Sequence, residues 1–158
     1  MDPQILEAQT NFISIHNQYN ALHLRGKEMQ KKMLSILQST PYNSVIKYAN
    51  LREENFDHLV FNMFGQQFFI YAETAFDASG RLTDGFLNTY FTDKQIATYS
   101  DHPTKIYSVS FDKIGNIDNR FTIDDFAVPY IMNVVSAYIK NVSDYHTSIK
   151  YTIVLREI

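Results

Sequence analysis

Between Pro3 and Pro41 the apolar positions Ile5, Ala8, Phe12, Ile15, Tyr19, Leu22, Gly26, Met29, Met33 and Ile36 recur at alternating steps of three and four. That spacing predicts a long helix within residues 1–40, carrying a seam of the kind that packs along one other helix. Asp2 is placed to cap it, Pro3 suits its first position, where a missing N–H costs nothing, and Pro41 closes it. Unbroken, it would be about 50 Å long at 1.5 Å per residue, longer than a domain of this size is wide. It must overhang the domain or break. The weak points are HNQYN, from His16 to Asn20, which is poor in helix formers, and Gly26, where glycine costs about 1 kcal/mol relative to alanine.

From residue 45 to residue 121 the period changes to two and β-favouring residues take over, with turn signals at short intervals. The predicted strands are Val45–Asn50, His58–Phe64, Gln67–Phe76, Leu82–Phe91, Gln95–Tyr99, Lys105–Phe111 and Asn116–Phe121. Their short connections favour an antiparallel meander of six to seven strands. FFIYA, Phe68 to Ala72, is apolar on both faces, so it belongs inside the sheet or on a strongly curved one.

The period returns to 3.6 over residues 124–142, predicting a second helix with Asp124 and Asp125 at its start and only a narrow polar stripe at Asn133, Ser136 and Lys140. Such a helix must be sandwiched. Residues 148–156 alternate again and predict a terminal strand. Together these elements define a single α+β domain over residues 1–158. The expected layering puts helix 124–142 on the sheet and the N-terminal helix across its outer side. The rival arrangement pairs the seam with a second copy of the chain.

Composition narrows the class. The 158 residues fit one domain with a sizeable core. Tyr and Phe supply an aromatic content of 15%, against only five glycines and four prolines, which argues for long regular elements around an aromatic core. A net charge of −3 with dispersed basic residues gives no footprint for nucleic acid. The apolar runs fall short of a membrane span, and the start resembles no signal peptide, so a soluble cytoplasmic protein without membrane contact is expected. No cysteine is present, which removes thiol chemistry and cysteine-based zinc sites.

Local motifs add little chemistry. FDKIGNI at Phe111–Ile117 has a near copy in FDASGRL at Phe76–Leu82. Both fit a turn opened by aspartate, with Gly115 or Gly80 left-handed. A calcium loop would need oxygen donors at alternate positions, where these segments have Ala78 and Ser79 or Lys113 and Ile114. Elbow, P-loop, dinucleotide and zinc-protease motifs are all missing, and no cofactor or metal is expected. His16 and His23 stand two helical turns apart, about 10.5 Å, too far to share one metal without a bend. Ser100, Asp101 and His102 are adjacent in a turn, where a nucleophile, its base and its orienter cannot easily reach working geometry. Glu73 is a carboxylate near the end of an otherwise apolar strand. The basic cluster Arg25, Lys27, Lys31 and Lys32 reads as a solvated helix face or as a magnet for an acidic partner.

Three functional classes remain. The first is a non-catalytic regulator, adaptor or inhibitor that binds another protein through a sheet face or the long helix, or pairs with itself through that helix. In the second, Tyr71, Tyr90, Tyr107, Tyr130 and Tyr138, with Glu73, line a small-molecule pocket between sheet and helix, although aromatics at these periods also serve as plain core. The third is an enzyme with dispersed acid–base groups such as Glu73, His58 or His102. The sequence favours the first.

Overall fold

The computed structural model describes residues 2–53, 58–92, 104–118 and 120–141. It comprises a helix α1 (Pro3–Leu37), a 3-10 turn (Tyr42–Ser44), strands β1 (Lys47–Arg52), β2 (His58–Met63), β3 (Gln66–Thr74), β4 (Asp84–Thr92), β5 (Thr104–Asp112), β6 (Asn116–Ile117) and β7 (Phe121–Thr122), and a helix α2 whose described part covers 127–141. The strands form one seven-stranded antiparallel meander in chain order, curled around the helices. The expected α+β class therefore holds. FFIYA lies in β3, inside the sheet, with Phe68 and Ile70 buried on one face and Phe69 and Tyr71 half-buried on the other. The predicted strands at 95–99 and 148–156 lie outside the described residues.

α1 runs unbroken through HNQYN and through Gly26. Asp2 caps it by accepting the Gln4 amide at 2.9 Å, with Pro3 in the first turn as expected. Gly26 is a place of close approach instead of a break. A Cβ there would come within 2.5 Å of the Ala72 Cβ on β3 and 3.3 Å of the Phe111 ring. The same ring lies over Gly85 of β4, where a Cβ would meet it at 2.3 Å. Two small positions thus let helix and sheet meet around Phe111, and missing side chains explain why a residue poor in helix propensity is kept here.

The layering differs from expectation: α1 lies directly on the sheet, packing against β3, β1, β4 and β2. Gln30 is buried and its Nε2 donates to the Ile70 carbonyl of β3 at 3.0 Å. α2 occupies the same sheet face and, among the described residues, is covered on one side only: Tyr130, Ile131, Val134 and Tyr138 are buried while Val128, Met132 and Ile139 are exposed, so it is not the sandwiched helix its apolar pattern predicted. Its Tyr130 hydroxyl meets Thr89 Oγ1 and donates to the Leu87 carbonyl of β4 at 3.2 Å. Leu22, Met29, Met33 and Leu37 of α1 join Ile131, Val134 and Tyr138 of α2, with Phe68, Leu87 and Phe111 of the sheet, in one core. The regular part of α2 begins at 127 because residues 123–126 form a turn, with the Asp125 amide donating to the Thr122 carbonyl.

The predicted strand 116–121 is instead a tight hairpin, β6 pairing antiparallel with β7. Asp118 at φ 49° turns the chain there, and its carboxylate accepts from the Ser110 amide and hydroxyl. Before it, Asp112 Oδ1 accepts the amides of Ile114, Gly115 and Asn116 at 2.9–3.0 Å, with Gly115 at φ 105°. Asp77 does the same for Ser79 and Arg81, with Gly80 at φ 80°. Both aspartates therefore serve turns, as the matching motifs predicted.

Candidate functional site

Alternation along the strands sends the aromatic residues to two faces. On the inner face Tyr130, Tyr138 and Tyr107 belong to the helix packing. Tyr107 meets Tyr130 edge-on at 5.0 Å and accepts a bond from Asn133 Nδ2. Tyr138 packs among Phe64, Phe68 and Phe91. Burial drives the Tyr130 phenol far above its ordinary pKa, so it stays a neutral hydroxyl that ties α2 to β4.

On the outer face Tyr71 and Tyr90 stand on neighbouring strands with ring centres 5.8 Å apart and planes nearly perpendicular. Glu73 joins them. Its Oε1 accepts the Tyr90 hydroxyl at 3.1 Å and its Oε2 accepts Asn88 Nδ2 at 2.9 Å, while Asn88 Oδ1 accepts the Ser108 hydroxyl. Desolvation, then the Glu73 carboxylate, raises the Tyr71 and Tyr90 pKa values, keeping both phenols protonated at neutral pH. His58 of β2 stacks on Tyr71 at 5.0 Å and lies 6.0 Å from Phe69. Strand register extends this platform sideways: Arg52 pairs with His58 on one side, and Lys105 with Tyr90 on the other. The product is an aromatic strip around one oriented carboxylate, bordered by two cations, with both helices on the opposite face.

Of the six residues expected to line a pocket, Tyr71, Tyr90 and Glu73 are thus brought together, and Tyr107, Tyr130 and Tyr138 lie across the sheet from them. Phe69, Asn88 and Ser108 were not anticipated. The first two could have been found by carrying the period-two alternation from Tyr71 and Tyr90 to their neighbours. His102 lies outside the described residues.

Other candidates resolve differently. Much of the basic cluster is engaged within the chain: Arg25 with Glu28 and the Lys113 carbonyl, Lys27 with Glu53 at 2.8 Å, and Lys32 with Asp124. His16 meets Asn20 at 3.2 Å and His23 stacks on Tyr19. Among the described residues no group of three or more His, Asp or Glu side chains is arranged to hold a metal ion. No helix among them is long and apolar enough to cross a membrane. A cleft of about 280 Å³ opens where α1 leaves the sheet, lined by Tyr19, Leu22, His23, Ala72, Glu73, Thr74 and Phe111.

Comparison of the chain with protein-family models, with curated proteins and with solved structures finds no match. The fold and its outer face define the class at hand: a curled antiparallel sheet with two helices on one side and a tyrosine-rich surface on the other.

Proposed function

We propose that this chain is a non-catalytic protein-binding module, cytoplasmic in location, whose partner contacts the outer sheet face around Tyr71, Tyr90 and Glu73. One observation carries the reading: a carboxylate oriented by Asn88 and Tyr90 sits among half-buried aromatic rings on a face that neither helix covers. Tyrosines immobilised by packing give large contact area at little entropic cost, which is why they dominate binding hot spots. A preoriented carboxylate beside aromatic rings suits an arginine or lysine of the partner, through charge and through cation–π contact. The partner class is therefore a protein presenting a basic side chain.

Affinity capture with the wild-type chain and with the Tyr71→Ala/Tyr90→Ala variant tests this. Loss of two hot-spot rings at about 2 kcal/mol each should reduce recovery of a stoichiometric protein by more than tenfold. Equal recovery by both would remove the outer face from consideration.

A second reading rests on the cleft between α1 and β3, whose mixed lining could hold a small ligand. Native mass spectrometry of the purified chain separates the two: a retained small molecule lost on His23→Ala would favour the cleft.

A further inference from the structure

The apolar seam of α1 changes partner along its length. At about 100° per residue, Ile5, Ala8, Phe12, Ile15 and Tyr19 fall on the same strip of helix surface that Leu22, Gly26, Met29 and Met33 present to the sheet. From Leu22 onward that strip is sealed. Before it, Ile5 is 53% exposed and Phe12 73%, and Leu6 and Ile13 widen the strip at 54% and 58%, while Ile15 already packs partly against the core. Ile5, Ala8, Gln9, Phe12 and Ile13 frame a shallow apolar groove on this projecting helix.

We infer that this projecting stretch pairs antiparallel with the same stretch of a second copy. Three features select that occupant. From Pro3 to Leu24 the only carboxylate or ammonium side chain is Glu7, so the strip offers no charge pattern for a charged partner and little repulsion to a copy of itself. A two-fold axis at Phe12 makes the strip complementary to itself. Ile5 then faces the partner's Tyr19, Ala8 faces the partner's His16, and Glu7 is carried toward the partner's Asn17, away from the partner's Glu7. A parallel pair would instead set the two Glu7 carboxylates side by side.

The third feature is the end of the groove. Residues 3–19 span about 25 Å, and in the antiparallel pair the first turn of each helix reaches the place where the other leaves its sheet. That is where the cleft of about 280 Å³ opens, with Tyr19 and Leu22 in its lining. Ile5 and Leu6 of one copy supply apolar atoms to fill it. Helix contact over about 25 Å alone falls short of the roughly 800 Å² per partner typical of stable interfaces, and the filled clefts add to it at both ends. The dimer is accordingly a reversible one. Tyr71, Tyr90 and His58 lie outside the lining of that cleft, so each copy keeps its aromatic strip, with Glu73 bordering both the strip and the cleft.

The chain has no cysteine, so single cysteines can report the geometry. Phe12→Cys should form a disulfide-linked dimer under mild oxidation, Ile5→Cys alone should not, and Ile5→Cys mixed with Tyr19→Cys should. Sedimentation should show a wild-type dimer at on the order of 100 µM that dissociates on dilution, and Phe12→Asp should stay monomeric with an unchanged circular dichroism spectrum. A wild-type monomer across that range, or efficient self-crosslinking of Ile5→Cys, would overturn the proposal. Phe12 lies far from the outer sheet face in sequence and element, so failure here leaves the partner-capture experiment with Tyr71 and Tyr90 standing.

Discussion

The two halves of α1 have the same seam and opposite fates. Residues 22–37 bury Leu22, Met29, Met33 and Leu37 almost completely, whereas residues 3–19 leave Ile5, Phe12 and Ile13 more than half exposed. Periodicity is identical in both, and so is helicity. What differs is whether a sheet lies beneath. The apolar pattern therefore states that a face is to be covered, without saying by what.

The largest test of that contrast is truncation in each half. Met33→Ala should lower unfolding free energy by about 2–5 kcal/mol, because a fully buried side chain leaves a cavity. Phe12→Ala, measured by denaturant titration at a concentration where the chain is monomeric, should change it by no more than about 0.5 kcal/mol. Equal losses would erase the distinction between the halves.

Gly26, inside the buried half, gives the next largest effect. Helix propensity alone favours alanine by about 1 kcal/mol, but a methyl 2.5 Å from Ala72 Cβ must push helix and strand apart. Overpacking of about 1–3 kcal/mol should outweigh the gain and leave Gly26→Ala destabilised. Gly26→Ala combined with Ala72→Gly should recover part of the loss; if it does not, the close approach is not what keeps the glycine.

The smallest effect lies at the boundary between the halves, where Arg25 Nε donates to the Lys113 carbonyl of the β5–β6 hairpin. Asp112 organises that hairpin. Its slight burial pushes its pKa up, yet the bonds from Asn116, Gly115 and Ile114 outweigh this and hold it below the usual aspartate value. A lowered folded pKa means that the stabilisation is present above the unfolded value and is lost as pH falls through the folded one. The Gly115 and Asn116 amide resonances should therefore shift only in strong acid, below the ordinary aspartate range. Asp112→Asn should remove that transition.

Much of the fold was legible because it depends on short-range chemistry. Asp2, Pro3 and the three-four spacing specified α1, and the aspartate–glycine motifs specified two turns down to the residue that accepts the amides. Period-two runs located five strands, with ends shifted by no more than two residues. The short strand pair β6–β7 was hidden because residues 116–121 alternate like one strand, and only the left-handed Asp118 folds them back. The outer-face cluster was half legible: Tyr71, Glu73 and Tyr90 were singled out, but one-dimensional spacing could not separate them from Tyr107, Tyr130 and Tyr138.

By itself, then, the chain determined α1, α2, strands β1 to β5, their order and the α+β class, since these follow from local periodicity, capping and turn conformation. Tertiary structure alone decided which stretch of the seam is sealed, that Gly26 marks a contact and not a break, that α1 rests on the sheet, and which tyrosines share a face. Those outcomes depend on contacts between residues such as Gly26, Ala72, Gly85 and Phe111, far apart in sequence, whose distances no local pattern encodes.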